Sequence, residues 1–265
     1  MRHSGIGPIA GVLLAAALVA SSVVGAHGQV AGGGPSPASM NSALVRLLGP
    51  SNFIANATVT VKDTNGTQVL STPMEFALLD GKVRAQIDQS QTKSKEMSPA
   101  VAASLMQLGL SRVVSVIRPD KQAVYIIYPD KKAMVKMPIS KEDAEAAART
   151  PKIQKTVLGK ETIDGHPCVK TKVIMTLGTS QPIEAITWNA TDLKDFPIQI
   201  ETTERGHTSV ILFRQLRFTR PDPGLFEAPA GFATYPNPHE LMQSVAREMQ
   251  KGKGADANSP APKKK

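Results

Sequence analysis

Enzymatic chemistry needs a nucleophile beside an oriented base, or a ligand cluster that fixes a metal, so the polar side chains come first. The histidines are His166, His207 and His239 in the body of the chain, with His3 and His27 in its amino-terminal segment. None stands in a His-x-x-x-His or His-Glu-x-x-His spacing, which would put two imidazoles on one helical face around zinc. The Gly-x-Ser-x-Gly elbow that exposes a serine nucleophile is also missing from the sequence. His166 and Cys168 lie one residue apart in a strand-like segment, sharing a face within reach of a metal. No further ligand cluster accompanies them in the sequence, so a turn histidine beside a buried thiol is the expectation. No catalytic residue, metal ligand or cofactor is expected, and the chain reads as a non-enzyme.

Apolar residues offer a different chemistry, the sequestration of a hydrocarbon. Met74, Phe76 and Leu78 recur at alternate positions, and their hairpin partners would be Val83, Ala85 and Ile87. Val101, Leu105, Met106 and Leu108 follow at helical spacing. These ten residues, with Trp188, are the candidates for lining a ligand cavity. A solid core would use the same residue types, since methionine and leucine fill cores as readily as they adapt to lipid tails. Trp188, the only tryptophan, would either line the cavity or plug the sheet against a helix. Tyr125 and Tyr128 lie on opposite faces of one strand and make no stacking platform. Three Asn-x-Thr sequons, at Asn56, Asn65 and Asn189, read as chance.

The elements that must position these residues are mostly strands. From Phe53 to Lys62 apolar residues alternate with Asn56, Thr58, Thr60 and Lys62, and Ile54 is the one exception. Asp63-Thr64-Asn65-Gly66 turns into 68–79, and Asp80-Gly81, a strong hairpin signal, turns into 82–88. Further strands are expected at 112–117, 122–128, 133–137, 153–158, 168–175, 183–189, 198–202 and 208–217. Ser98 caps a helix with Pro99 at its first position, and Ser140 with Asp143 opens a second, continued by Ala144 to Ala148. A terminal helix is expected over 239–250, with Leu241, Val245 and Met249 at four-residue spacing. So many antiparallel strands must close or curl, because a flat open sheet leaves two edges and a bare apolar side.

Residues 1–28 carry the secretory pattern: Arg2 and His3, an apolar run from Ile9 to Val24, then Val24-Gly25-Ala26. Cleavage is expected after Ala26, with Gly28 as the alternative. No cysteine lies near that point, so lipid anchoring is not expected and the mature protein should be soluble. Cys168 is the only cysteine, which excludes an intramolecular disulfide and leaves stability to packing. The net charge of +9 would suit nucleic acid or an anionic surface, and export argues against nucleic acid. Lys251, Lys253 and Lys263 to Lys265 sit in a tail too poor in apolar residues to fold. That tail is either merely solvated or a tether to an anionic membrane or cell-wall surface.

Three segments carry a family resemblance. The stretch Gly159-Lys160-Glu161-Thr162-Ile163-Asp164-Gly165 leads into a strand at His166-Pro167-Cys168; Ala185-Ile186-Thr187-Trp188 is followed by Leu193 and Phe196-Pro197-Ile198; and Pro221 to Phe232 forms a closing segment. In this order they resemble the LolA/LolB-like (lipoprotein localisation factor) superfamily, nearest to an uncharacterised bacterial exported domain family within it. The resemblance spans about residues 115–235. It implies a mainly β fold, a curved antiparallel incomplete β-barrel of ten to eleven strands with helices covering its concave face around an apolar cavity. The expected organisation is a signal peptide at 1–28, a flexible linker at 29–48, a LolA-like half-barrel domain at 49–236, and a short helix with a disordered basic tail at 237–265. The expected function is a periplasmic, non-enzymatic protein that holds a lipid, a lipoprotein acyl chain or another apolar ligand under a helical lid. The alternative is a cell-envelope structural or interaction protein with a filled core and a docking tail.

Overall fold

The computed structural model describes residues 37–49, 52–176, 182–204 and 206–256. The expected signal peptide, the first part of the expected linker and the terminal lysines at 263–265 lie outside the described residues.

Alternation and turn chemistry build the first meander as expected. In β1 (Phe53–Lys62) Phe53, Ala55, Ala57, Val59 and Val61 are buried, while Asn56 and Lys62 are exposed. The Asp63 carboxylate then accepts from the amides of Asn65 and Thr67, both at 2.9 Å, and so closes the turn into β2 (Gln68–Leu79). Asp80 and Gly81 both have positive φ, +50° and +79°, as a two-residue hairpin into β3 (Lys82–Asp88) requires. After the two-residue β4 (Lys93–Ser94), the Ser98 hydroxyl caps α2 (Pro99–Gln107) by accepting from Val101 N at 3.3 Å.

The strands β5 (Arg112–Arg118), β6 (Ala123–Tyr128) and β7 (Ala133–Pro138) follow through two Pro-Asp-Lys turns. Then come α3 (Lys141–Ala148), β8 (Lys152–Ile163), β9 (His166–Thr176), β10 (Ile183–Ala190), β11 (Phe196–Glu204) and β12 (His207–Arg217). A short β13 (Ala233–Tyr235) precedes the terminal helix α4 (Pro238–Asp256), whose start is capped by Asn237 Oδ1 accepting from Glu240 N at 2.9 Å. The stretch expected to be linker carries a helix of its own, α1 (Pro37–Leu48), with Ala43, Leu44 and Leu48 buried.

Among the described residues the thirteen strands form one sheet, ordered β13-β7-β6-β5-β3-β2-β1-β12-β11-β10-β9-β8, with β4 beside β2. Every pairing is antiparallel except β13 with β7. This order overturns the expected barrel: the two end strands, β13 and β8, do not pair with each other, and the sheet neither closes nor curls strongly. The edges that closure would have removed are managed otherwise. At one end β13 is only three residues long and is backed by α4, where the Tyr235 hydroxyl donates to Ser244 Oγ at 3.0 Å. At the other end β8 carries Lys152, Lys155 and Lys160 and a register shift between Val157 and Gly159.

The bare apolar side is dealt with by cover instead of curvature. One face packs into the main core, joined by Leu44 and Leu48 of α1 and by Leu241 and Val245 of α4. The other face is covered only at one end, where Phe226 and Phe232 pack on Ala77, Leu79, Val114, Val116, Tyr125 and Ile127. For that reason every residue of β6, and all but the first of β5, is buried, and no alternation survives there.

Candidate functional site

The six strand candidates stand on one face and meet each other across β2 and β3: Met74 is paired with Ile87, Phe76 with Ala85, and Leu78 with Val83. All six are buried, none more than 4% exposed. What lies over them is protein. Phe76 stacks on Phe53 with ring centroids 5.6 Å apart and meets Phe213 edge-to-face at 5.5 Å, while Phe196 meets Phe53 at 4.9 Å. These aromatic residues of β1, β11 and β12 were not among the sequence candidates. Their signal was present in the alternation of each strand, but nothing local placed β1 beside β12.

The helix candidates behave differently. Leu105 and Leu108 of α2 and its cap are partly buried against the main core, whereas Val101 and Met106 face solvent, Met106 at 60% exposure. No residue of α2 is buried, and its sequence PAVAASLMQ carries no charge. At its carboxyl end Gly109 has φ +70°, and a side chain there would press on the backbone of Lys131 and Asp130 at 3.0 to 3.1 Å. The helix is thus anchored at its end and loosely held along its length.

Trp188 is buried, 5% exposed, and belongs to the same main core as the Met74 group. It lies on β10, four strands from β2, buried beside Thr187 and in one core with Ala185 and Ala190. Its indole Nε1 donates to Glu161 Oε2 at 2.7 Å, and Lys170 Nζ sits 4.9 Å from the ring centre. Glu161 also accepts from Lys170 at 2.9 Å, and these two donors hold its carboxyl below the usual range. Trp188 therefore fastens the β8–β9 hairpin to the sheet.

His166 and Cys168 do not combine. His166 Nδ1 is 2.8 Å from Asp192 Oδ2 near the surface, while the buried Cys168 thiol donates to the His166 carbonyl at 3.3 Å. Burial pushes that thiol up, away from the reactive thiolate. Among the described residues no group of three or more His, Cys, Asp or Glu is placed to hold a metal. Two open grooves are present, one of about 400 Å³ at the β1–β12 bulge, lined by Ile54, Asn56 and Gln215, and one of about 530 Å³ lined by Thr58, Ser71, Ser90 and Lys93. Neither is lined by any of the eleven candidates.

No protein-family model and no curated protein matches the chain. Several solved structures are similar to the chain at low sequence identity. They include a LolA superfamily protein from Nitrosomonas europaea, at 10% identity and a TM-score of 0.35, covering 71% of this chain and 97% of that one. The lipoprotein LppX from Mycobacterium tuberculosis is similar at 11% identity and a TM-score of 0.37, with 66% and 94% covered. LprF from Mycobacterium bovis is similar at 12% identity and a TM-score of 0.35, with 72% and 99% covered.

Proposed function

We propose that this is a non-catalytic, exported protein of the periplasm that binds an apolar ligand, a lipid or lipoprotein acyl chain, between the apolar face of its sheet and α2. The observation that carries this reading is α2 itself, an uncharged apolar helix with no buried residue, touching the core through Leu105 and Leu108. Full burial of two leucines would contribute about 3–6 kcal/mol, and partial burial less. An acyl chain of about twelve methylenes sequestered at ~0.8 kcal/mol each exceeds that, so it could take the place of α2 on the core. The ligand site in this reading is made by displacement, because the Met74 to Ile87 face is already filled. Organic extracts of protein purified from a native-like host should contain lipid by mass spectrometry, and fatty acid or phospholipid should raise the melting temperature. Clean extracts with no thermal shift would overturn the proposal.

A second reading has its own support in the packed phenylalanines: an envelope interaction protein with a filled core, docked to an anionic membrane or cell-wall surface by its carboxyl-terminal lysines. Deleting residues 251–265 would then abolish binding to anionic liposomes while leaving lipid extraction unchanged. Retained liposome binding would exclude it.

A further inference from the structure

The sheet ends at β8 with unfinished business on both its backbone and its side chains. All of 152–158 is exposed, and along this edge strand Ile153, Val157 and Leu158 present 43%, 66% and 50% of their surface to solvent. Ile153, Lys155 and Val157 stand opposite Met175, Val173 and Thr171 of β9, all three buried. The covered face of the sheet, packed at Met175 by Ala43 and Leu47 of α1, therefore runs one strand beyond its cover.

The register from Lys152 to Val157 is unbroken, and the bulge begins only after it. That stretch offers one edge of main-chain donors and acceptors to a further strand. Its charge is of one sign: Lys152, Lys155 and Lys160 occur without an acidic residue before Glu161, which is engaged by Lys170 and Trp188. None of the three lysines has an ion-pair partner among the described residues. A second copy of this chain would set lysine against lysine, an unfavourable arrangement directly across a sheet. A carboxylate-bearing strand would not.

We propose that β8 docks an extended acidic peptide segment by strand addition, with apolar residues of the partner beside Ile153 and Val157 and a carboxylate beside Lys155. The lysines thus deter self-pairing and select an acidic strand. This surface is separate from α2 and independent of any lipid bound there.

The test uses the full mature chain and two blocked peptides, one alternating valine and glutamate, the other valine and lysine. The valine–glutamate peptide should slow hydrogen exchange at the amides of 152–157. Its affinity by fluorescence anisotropy should fall about fivefold in Lys155→Glu, an exposed site where attraction becomes repulsion. Three results would overturn the proposal: no slowing at 152–157 under saturating peptide, equal affinity for the valine–lysine peptide, or a dimer that protects the same amides without peptide.

Discussion

The guanidinium of Arg118 donates through Nη1 to the main-chain carbonyl of Phe226 at 2.9 Å, tying the end of β5 to a segment more than a hundred residues later. The same group forms a two-pronged contact with Asp120, through Nε at 2.8 Å and Nη2 at 2.7 Å, and reaches Glu227 Oε1 at 2.7 Å. Arg118 is only 4% exposed, so it is a buried cation whose three nitrogens all donate to acceptors. It holds in place the segment whose Phe226 and Phe232 cover the second face of the sheet.

Arg118→Ala should therefore destabilise the fold by about 2 kcal/mol, mainly by leaving the Phe226 carbonyl without its donor. Arg118→Lys should recover only part, since an ammonium cannot reproduce the planar fork. Urea denaturation of the three proteins checks this. A midpoint for Arg118→Ala equal to the parent would show that the segment is held by its phenylalanines alone.

Acid should loosen the same contact. Hydrogen bonds from Arg118 lower the Asp120 carboxyl from its ordinary 3.8 to about 2, and those from Lys121 and Arg118 lower Glu227. Both groups bind protons less readily in the folded than in the unfolded chain. Their stabilisation is complete above the unfolded values and is lost as pH falls towards the folded ones. For Asp120 the loss runs from about pH 4 to pH 2. Melting temperature measured across that range should fall more steeply in the parent than in Asp120→Asn. Parallel curves would remove Asp120 from the account.

The packed face makes a further prediction. Phe76→Ala would leave a void beneath Phe53 and Phe213 and should cost about 3–5 kcal/mol. Were that face a ligand-filled space, added fatty acid would restore most of the loss. Denaturation with and without fatty acid distinguishes a solid core at this position from an adaptable one.

Gly109→Ala addresses the anchor of α2. Positive φ and backbone contact at 3.0 Å give the new methyl no accommodating side chain, so a destabilisation of about 1–3 kcal/mol is expected. Exchange of the α2 amides should speed up before that of the sheet. Uniform acceleration would mean that α2 and the sheet open together.

Much of this molecule is local and was legible as such. Period-two alternation places β1, β2 and β3 at their observed bounds, and Asp63, Asp80-Gly81 and the Ser98-Pro99 cap act on neighbours a few residues away. Helix α1 escaped because a run of small and polar residues after a glycine-rich stretch resembles linker until Ala43, Leu44 and Leu48 find the sheet. The three residues of β13 are too few to show a period, and only the parallel partner β7 makes them a strand.

The sequence by itself determined most of the strands, the turns that join them, and which side chains are apolar enough to be buried, because those properties are set by each residue and its near neighbours. It left open what the apolar side chains pack against. Tertiary structure decided that β1 pairs with β12, that Phe53, Phe76, Phe196 and Phe213 fill one another's space, and that the sheet stays open with an exposed edge at β8. Those outcomes depend on strand order and on cover by distant segments. The same alternating strands satisfy their backbones whether a sheet closes on itself or is capped by helices and a strap.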